Sequence, residues 1–321
     1  MLSSPDCPGC NSRAWASLGK RIYQADCIPR SKGWRQMALR ILFEVWAPGK
    51  DEFSAEFVGC RTCGLMIYTP RPTSEEIDAK YRYSVEMGSI APSKEENIRR
   101  TRKRQERLYN LIVPRLSRPV RGARILDFGG GDGRLLKLFV EGQAECDIID
   151  YNMNPVMGVR HIGKTEYDLP EESVYDLIVC SHVVEHLPEP MATLQKLVAS
   201  LRPDGVIYVE VPVEVVGQLP ARHEPVTHIN FFTPESLASL MRNSGYRVLE
   251  SALNNYPHPN GGWKLCAGVF ASPGADTSIK DEGLAGLERY RHPSPLFRAR
   301  IFKLVWRDYV SKIQRVILGR L

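Results

Sequence analysis

The stretch RILDFGGGDGRLLKLF, Arg124–Phe139, decides the fold class of this chain of 321 residues. An apolar, strand-like run ends at Asp127, a glycine-rich turn follows, and a helix-like run begins directly after the turn. Glycine lets a backbone turn tightly and approach a ligand, and the first N–H groups of a helix are free to donate to it. An acidic residue just before the glycines would repel a pyrophosphate but accept a hydrogen bond from an ammonium group, which disfavours a dinucleotide site.

Apolar runs and helix-like segments alternate on the C-terminal side of this stretch. The further runs are ECDIIDY, YDLIVCSHV, GVIYVEVP, YRVLESALN and LCAGVFAS, with helical candidates at 132–141, 190–201 and 233–244. Such alternation predicts a mostly parallel sheet covered by helices on both faces. The last two runs are joined only by a loop, NNYPHPNGGWK, so they are predicted to pair antiparallel. We therefore predict an α/β, Rossmann-like fold.

Four segments resemble the class I S-adenosylmethionine-dependent methyltransferases in order and spacing. They are LDFGGGDG, DIIDYN, YDLIVCSHVVEHLPEP and LRPDGVIYVEVP, within about residues 105–272. The resemblance implies that the chain is an enzyme and that its cofactor is S-adenosylmethionine. It also implies a helix and a third strand after Asp150, but the few residues available there predict a short or missing helix.

The same resemblance implies the residues that bind the cofactor. Asp127 or its neighbours hold the methionine amino end, Asp150 takes the ribose hydroxyls, and Ser181 and His182 pass near the sulfonium. The adenine is assigned to Asp168, with Glu166 as the alternative. The full predicted set is Asp127, Phe128, Gly129, Gly131, Asp150, Tyr151, Asp168, Ser181 and His182.

Two Cys-x-x-Cys pairs, CPGC at 7–10 and CRTCGL from 60, predict a metal site. Zn²⁺ in structural sites takes four ligands in tetrahedral geometry, and thiolates suit it. Cys7, Cys10, Cys60 and Cys63 supply four and leave no position for water or substrate, so a zinc ion here would be structural. The alternative is four unrelated free thiols. The sequence shows no signal-peptide pattern and no apolar run of about 20 residues, which predicts a cytoplasmic location. In that reducing compartment, eight cysteines favour free thiols or a metal site over disulfides.

Changes in composition predict four parts of the chain. Residues 1–72 form a zinc-binding β lobe, 73–118 a helical linker, 119–273 the methyltransferase domain and 274–321 a basic amphipathic tail. Within the lobe, LRILFEVW and EFSAEFVGC have the composition of strands. Thr73 or Ser74 is predicted to cap a helix that starts in the linker.

A cysteine-rich head before this core also resembles a narrower group, which includes sugar C-methyltransferases and bacterial methyltransferases of surface-glycan and secondary-metabolite pathways. In that group the zinc lobe helps to cover the substrate cleft. The sugar C-methylating members carry a further large C-terminal domain, whereas about fifty residues follow the last predicted strand here. The resemblance therefore favours a hydroxyl of a sugar, glycan or glycosylated small molecule as the acceptor.

The segment ARHEPVTHINFFTPESL, after the fifth predicted strand, holds the candidates for catalysis. A hydroxyl is a poor nucleophile until its proton leaves, and histidine titrates near working pH. The related glycan enzymes carry Glu-His-x-x-x-Phe here; His228 matches the histidine, and Thr227 stands in place of the glutamate. We predict His228 as general base, with Glu224 compensating and His223 nearby, and His186 as the alternative base.

Other functions stay open at this point. A quinone-type or phenolic O-methyltransferase and a sugar C-methyltransferase share the same core. An RNA methyltransferase is suggested by the basic stretch 94–107, but the motif after the fourth strand that would position an exocyclic amine is replaced by CSHVVEHLP, so nucleic acid is disfavoured as a partner. A non-catalytic scaffold would not need the cofactor segments.

The tail carries the excess positive charge of the chain, whose net charge is +6. From Leu296 to Leu321 there are seven Lys and Arg residues against one Asp. Apolar residues between 300 and 317 recur at helical spacing, which places Phe302, Val305, Trp306, Tyr309, Ile313 and Val316 on one face. This helix would pack on its own domain, or else attach to an anionic membrane surface or to a partner enzyme. The oligomeric state is left open.

Overall fold

The structure is a computed structural model that describes residues 5–87, 94–151, 154–170, 172, 174–217, 224–258, 262–276 and 283–305. Within these ranges the chain forms two sheets, seven bounded α-helices and a further helical segment at 295–305. The strands are β1 Trp15–Gln24, β2 Glu52–Cys60, β3 Met66–Thr69, β4 Arg124–Phe128, β5 Glu145–Ile149, β6 Val159–Gly163, β7 Tyr175–Ser181, β8 Leu201–Pro212, β9 Tyr246–Pro257 and β10 Trp263–Pro273. The helices are α1 Gly33–Arg40, α2 Ser74–Glu86, α3 Lys94–Ile112, α4 Lys137–Glu141, α5 Pro190–Ser200, α6 Pro234–Asn243 and α7 Gly283–Arg291.

The large sheet has the order β6-β5-β4-β7-β8-β10-β9. Its first five strands are parallel, and β10 pairs antiparallel with both β8 and β9, which confirms the predicted reversed pair. Neighbouring residues of one strand enter different cores: Leu126 and Ile178 join one apolar cluster, while Ile125 and Leu177 join the other. The near-continuous apolar runs are thus explained, because both faces of the sheet are covered. The predicted Rossmann-like α/β fold is confirmed.

The connection between β5 and β6 is short. Residues 154–158 contain no helix, and the third strand, β6, begins at Val159. The glycine-rich turn leads into a 3₁₀ turn, Arg134–Leu136, and then into α4. The carboxyl ends of β4, β5, β7 and β8 therefore meet at one edge, where open α/β sheets bind ligands.

The N-terminal lobe is a three-stranded antiparallel sheet, β1-β2-β3. The prediction of a strand in LRILFEVW is wrong, because this segment continues α1 as helical turns over Ile41–Trp46. Leu39, Ile41, Leu42 and Phe43 are buried in one small cluster together with Val226. A short apolar run buried on several sides reads equally well as strand or helix, so composition could not separate them.

The lobe packs directly on the loop that follows β8. Met66 of β3 and Phe231 exchange backbone hydrogen bonds, with N–O distances of 3.2 and 2.9 Å. The Phe231 ring stands edge-on to those of Phe57 and Tyr68, with centroids 5.3 and 5.7 Å away. The Asn243 amide at the end of α6 donates to the carbonyl of Gly9 at 2.9 Å. The lobe and the large sheet thus share one hydrophobic core.

Two predictions about the ends of helices can be compared with the structure. Thr73 caps α2: its hydroxyl accepts from the Glu76 N–H, and the Glu76 carboxylate accepts from the Thr73 N–H.

Residues 295–305 are helical, and Phe297, Ile301, Leu304 and Val305 pack against the core, while Phe302 is 56% exposed. In this part of the tail, the face that packs inward therefore differs from the predicted face, which included Phe302. The rest of the predicted tail helix, 306–321, lies outside the described residues. The division of the chain into four parts stays a prediction.

None of the described helices combines the length and apolar character that crossing a membrane requires.

Candidate active site

The glycine turn after β4 offers an open cradle. Gly129, Gly131 and Gly133 have φ of 72°, 65° and 75°, a region that favours glycine. A Cβ on Gly129 would lie 2.4 Å from the Val183 side chain, whereas a Cβ on Gly131 would meet no atom within 4 Å. The backbone at Gly131 is thus approachable, and its N–H donates to Asp150 at 2.9 Å.

Asp127, at the end of β4, is a buried acid suited to a cationic ligand group. The side chain is 1% exposed, and its Oδ2 has no hydrogen-bond partner among the described residues. Burial raises the pKa of this carboxyl to about 7; Arg104 opposes the shift, and Asp150 and Asp132 add to it. An ammonium group placed here would supply the missing donor and the missing charge.

The remaining predicted contacts of the adenosine end lie around the ends of β5 and β6. Asp150 lies beside the glycine turn, Tyr151 is 67% exposed, and Phe128 is buried. Asp168 accepts from the N–H groups of Lys164 and Thr165 at 2.8 and 3.0 Å, so its carboxylate caps its own turn and has a lowered pKa. The alternative, Glu166, accepts from the Thr193 hydroxyl at 3.0 Å. The assignment of adenine stays a prediction.

A buried charge network underlies the end of β7, and the sequence did not reveal it. The Ser181 hydroxyl donates to Glu210 Oε1 at 2.8 Å, and Arg107 of α3 donates to Oε2 at 2.7 Å. Glu210 is fully buried, which raises its pKa, but Arg107, His182 and Arg104 together outweigh this desolvation and lower the pKa to about 2. Arg104 donates to Ser181 Oγ at 3.3 Å. Arg104 and Arg107, which belong to the basic stretch 94–107, thus face the site. In the sequence, the only hint of this network was an acidic residue, Glu210, within the apolar run GVIYVEVP.

His182, next to Ser181, is held in an unusual backbone conformation. Its φ is 61°, which is uncommon for a residue with a side chain, and its ring lies 4.3 Å from that of Tyr256. Its Nδ1 is 3.3 Å from Glu185 Oε1. The turn after β7 therefore directs His182 toward the loop 183–187 that follows it.

His228 is oriented by a carboxylate other than the predicted one. Its Nδ1 lies 2.8 Å from Glu214 Oε2, while Glu224 accepts a hydrogen bond from the Thr227 hydroxyl. Burial lowers the pKa of His228, but the hydrogen bond and the charge of Glu214 outweigh it and the net pKa is raised. His186 packs edge-on against the His228 ring, with centroids 4.8 Å apart. His223 lies outside the described residues.

Two cations, the buried Lys80 and the half-buried Arg71, donate to backbone carbonyls of the loop that carries His228. Lys80 of α2 donates to the carbonyl of Val226 at 2.6 Å, and Arg71 donates to that of Ile229 at 2.9 Å. Lys80 is 3% exposed, and burial lowers its pKa to about 8. The segment between β3 and β4 therefore contacts the loop on both sides of His228.

The four predicted thiols come together in the lobe as one four-cysteine cluster. Cys7 and Cys63 are 3.5 Å apart at sulfur, as are Cys10 and Cys60, and all four sulfurs lie within 4.8 Å of one another. Sulfurs that bind one tetrahedral Zn²⁺ at about 2.3 Å would be about 3.8 Å apart, so the cluster fits that ion. Asn11 and Gly64 follow the two pairs and have positive φ, which gives both turns the same shape.

The known proteins to which this chain is similar are methyltransferases. A family model described as a methyltransferase domain matches residues 100–251. A ubiquinone biosynthesis O-methyltransferase from Xanthomonas axonopodis pv. citri (strain 306) is 27% identical over 152 residues, which cover 40% of this chain and 64% of that protein. The C-methyltransferase NovU from Streptomyces niveus is 26% identical over 219 residues, covering 64% and 49%.

Among solved structures, a Burkholderia thailandensis 1,6-didemethyltoxoflavin-N1-methyltransferase with bound 1,6-didemethyltoxoflavin and S-adenosylhomocysteine is 21% identical, with a TM-score of 0.49; the match covers 69% of this chain and 96% of that one. The chain spans less than two thirds of the length of the curated relatives named above. With the strand order and the glycine turn, the family match shows that the chain contains a class I, S-adenosylmethionine-dependent methyltransferase domain.

Proposed function

We propose that the protein transfers the methyl group of S-adenosylmethionine to a hydroxyl of a sugar, a glycan or a glycosylated small molecule, with assistance from His228. The observation that supports this proposal is the segment after β7: Val183 lies against Gly129 of the glycine turn, and two residues later the Glu185 carbonyl accepts from the N–H groups of Ile229 and Asn230, beside His228. When bound, the cofactor supplies an electrophilic methyl group on a sulfonium. The protein has to bind it, orient the acceptor and remove the hydroxyl proton.

The chain's own residues divide this work. Asp127 would hold the methionine ammonium, and Asp150 the ribose hydroxyls, beside the open backbone of Gly131. The acceptor oxygen forms a bond to the methyl carbon as the carbon–sulfur bond breaks, and the hydroxyl proton leaves. The products are a methyl ether, S-adenosylhomocysteine and one proton. Lys80 and Arg71 keep His228 in place for this step.

Two relatives favour a second class of acceptor. The ubiquinone O-methyltransferases are named for an O-methylation outside sugar chemistry, and NovU is named as a C-methyltransferase. A phenolic hydroxyl would use the same deprotonation at His228, whereas C-methylation would require removal of a proton from carbon. The position of the new methyl group is therefore the deciding observation.

The test is methyl transfer from labelled S-adenosylmethionine to a panel of nucleotide sugars, lipid-linked and free glycosides, catechols and an RNA oligonucleotide. We expect label on a glycoside and a methyl ether in the NMR spectrum of the product. Asp150→Ala is the control, because it should abolish transfer through loss of the cofactor. If only catechols are labelled, the acceptor would be a phenolic hydroxyl, and if the label is on a carbon, the enzyme would be a C-methyltransferase. Label only on RNA would overturn the proposal.

A further inference from the structure

The loop after β7 contains a buried carboxylate that the described part of the protein leaves unsatisfied. Glu185 is 1% exposed, and neither of its side-chain oxygens has a hydrogen-bond partner among the described residues. The nearest ionisable side chain is His182, whose Nδ1 lies 3.3 Å from Glu185 Oε1. A buried ion without hydrogen bonds is costly, so this position calls for a cation.

Two imidazoles lie beside this carboxylate. His186 Nε2 is 3.9 Å from Glu185 Oε1, and one ligand atom each of Glu185, His186 and His228 lie within 4.8 Å of one another. The Nδ1 atom of His186 is also buried without a partner among the described residues. Ligand atoms that share one ion at about 2.1 Å lie about 3 Å apart, so small side-chain rotations would close the cluster.

The surroundings of His228 have the form that metal-binding histidines adopt. Its Nδ1 is engaged by Glu214 at 2.8 Å, so an ion would be bound through Nε2. A carboxylate on the far nitrogen fixes the ring and strengthens it as a ligand. The backbone N–H groups of Ile229 and Asn230 donate to the carbonyl of Glu185 at 3.0 and 3.1 Å, so the two loops are held together.

We infer that Glu185, His186 and His228 bind a divalent first-row transition-metal ion next to the proposed methyl-transfer site. Two imidazoles and one carboxylate suit Mn²⁺, Fe²⁺ or Zn²⁺ better than Mg²⁺, and three protein ligands leave coordination positions open. This inference rests on the proposed function and deepens it: an acceptor hydroxyl bound at an open position would lose its proton more easily. His228 then assists as a ligand and not as a free base.

Manganese is the suitable probe, because the four-cysteine cluster prefers softer ions. The full chain, with the metal of its four-cysteine cluster retained, is titrated with Mn²⁺ while free Mn²⁺ is measured by electron paramagnetic resonance. We expect one site per chain, and at least tenfold weaker binding in Glu185→Gln and in His186→Gln. Glu189→Gln is the matched control, since Glu189 is an exposed carboxylate four residues after Glu185, directly before α5; the affinity of this variant for Mn²⁺ should equal that of the wild type.

Activity then separates this inference from the proposed function. We expect a chelator to stop methyl transfer and Mn²⁺ to restore it, with S-adenosylmethionine binding unchanged by calorimetry. A wild-type chain that binds no Mn²⁺, or a Glu185→Gln chain that binds it equally well, overturns the metal site. If hydroxyl methylation then continues in chelator, the proposed function stands with His228 as the base. If Glu185→Gln does not fold, His186→Gln and the wild-type titration decide.

Discussion

Asp127 is the residue whose environment gives the clearest pH dependence. Its pKa of about 7 in the folded protein means that much of the free protein carries a protonated carboxyl at pH 6. Binding of an ammonium group favours the charged form, so the proton must leave when the cofactor binds.

We therefore predict that the affinity for S-adenosylmethionine rises on the order of tenfold between pH 5.5 and 7.5, measured by calorimetry with release of a proton. The cofactor's own ammonium group begins to lose its proton near pH 8, which limits the range. Asp127→Asn should bind more weakly and with a flat profile. A wild-type affinity independent of pH would show that Asp127 does not meet the ammonium group.

At His228 the prediction concerns turnover. His228→Ala removes the imidazole between Glu214 and the Glu185 loop, and we expect turnover to fall by about 10²–10⁴ while cofactor affinity stays constant. Steady-state kinetics and calorimetry measure the two quantities separately. Thr227→Val, which changes the neighbouring side chain and its contact with Glu224, is the matched control and should lower turnover much less. Equal losses in both variants would assign the effect to the loop as a whole.

Among the elements, the two cysteine turns of the lobe carry the prediction about metal. Zinc analysis should find about one ion per chain at the four-cysteine cluster. Cys60→Ser removes one of its ligands, and a loss of about 3 kcal/mol would lower the melting temperature of a chain of this length by roughly 4–5 °C. Turnover per folded molecule should change less, because no position of the ion is open to substrate.

Cys27→Ser is the control for that experiment. Cys27 is half-buried and outside the cluster, so its replacement should leave both zinc content and melting temperature nearly unchanged. A metal-free wild-type protein of normal stability would contradict the prediction.

The sequence predicted elements well wherever the signal was local. The glycine turn, the reversed strand pair and the Thr73 cap each depend on residues a few positions apart, and the structure contains all three. The helix at 41–46 was missed because its apolar residues face one small core on several sides.

Side-chain partners were harder to predict, because tertiary packing decides them. Glu214 lies fourteen positions before His228 on the far side of a loop, so Glu224 was the nearer choice in the sequence. Likewise, a basic stretch does not show which arginines turn inward, and only the fold brings Arg107 to Glu210. The pairing of acids and bases therefore needed the structure.

At the scale of the whole molecule, the C-terminal tail is the part whose charge would bring the protein to an anionic membrane surface. Residues 295–305 already pack on the core, and Asn255 donates to the Leu304 carbonyl. We predict that the full chain co-sediments with anionic vesicles at low salt more than a chain ending at Pro295, because each cation near such a surface contributes about 1 kcal/mol.

Neutral vesicles are the control for the tail. Equal pelleting of both chains, or none on anionic vesicles, would remove the membrane proposal. A truncated chain with a lowered melting temperature would instead identify the tail as part of the domain's own packing.

Lys80 and Arg71 hold the His228 loop through main-chain carbonyls and not through side chains. Every residue has the same main-chain carbonyl, so these hydrogen bonds do not depend on which side chains the loop presents. New acceptor preferences can therefore arise by replacing those side chains while the histidine keeps its position. The segment between β3 and β4 that carries Arg71 and Lys80, rather than the loop, would then be the part of the protein that tolerates fewer substitutions when such enzymes are engineered or diversify.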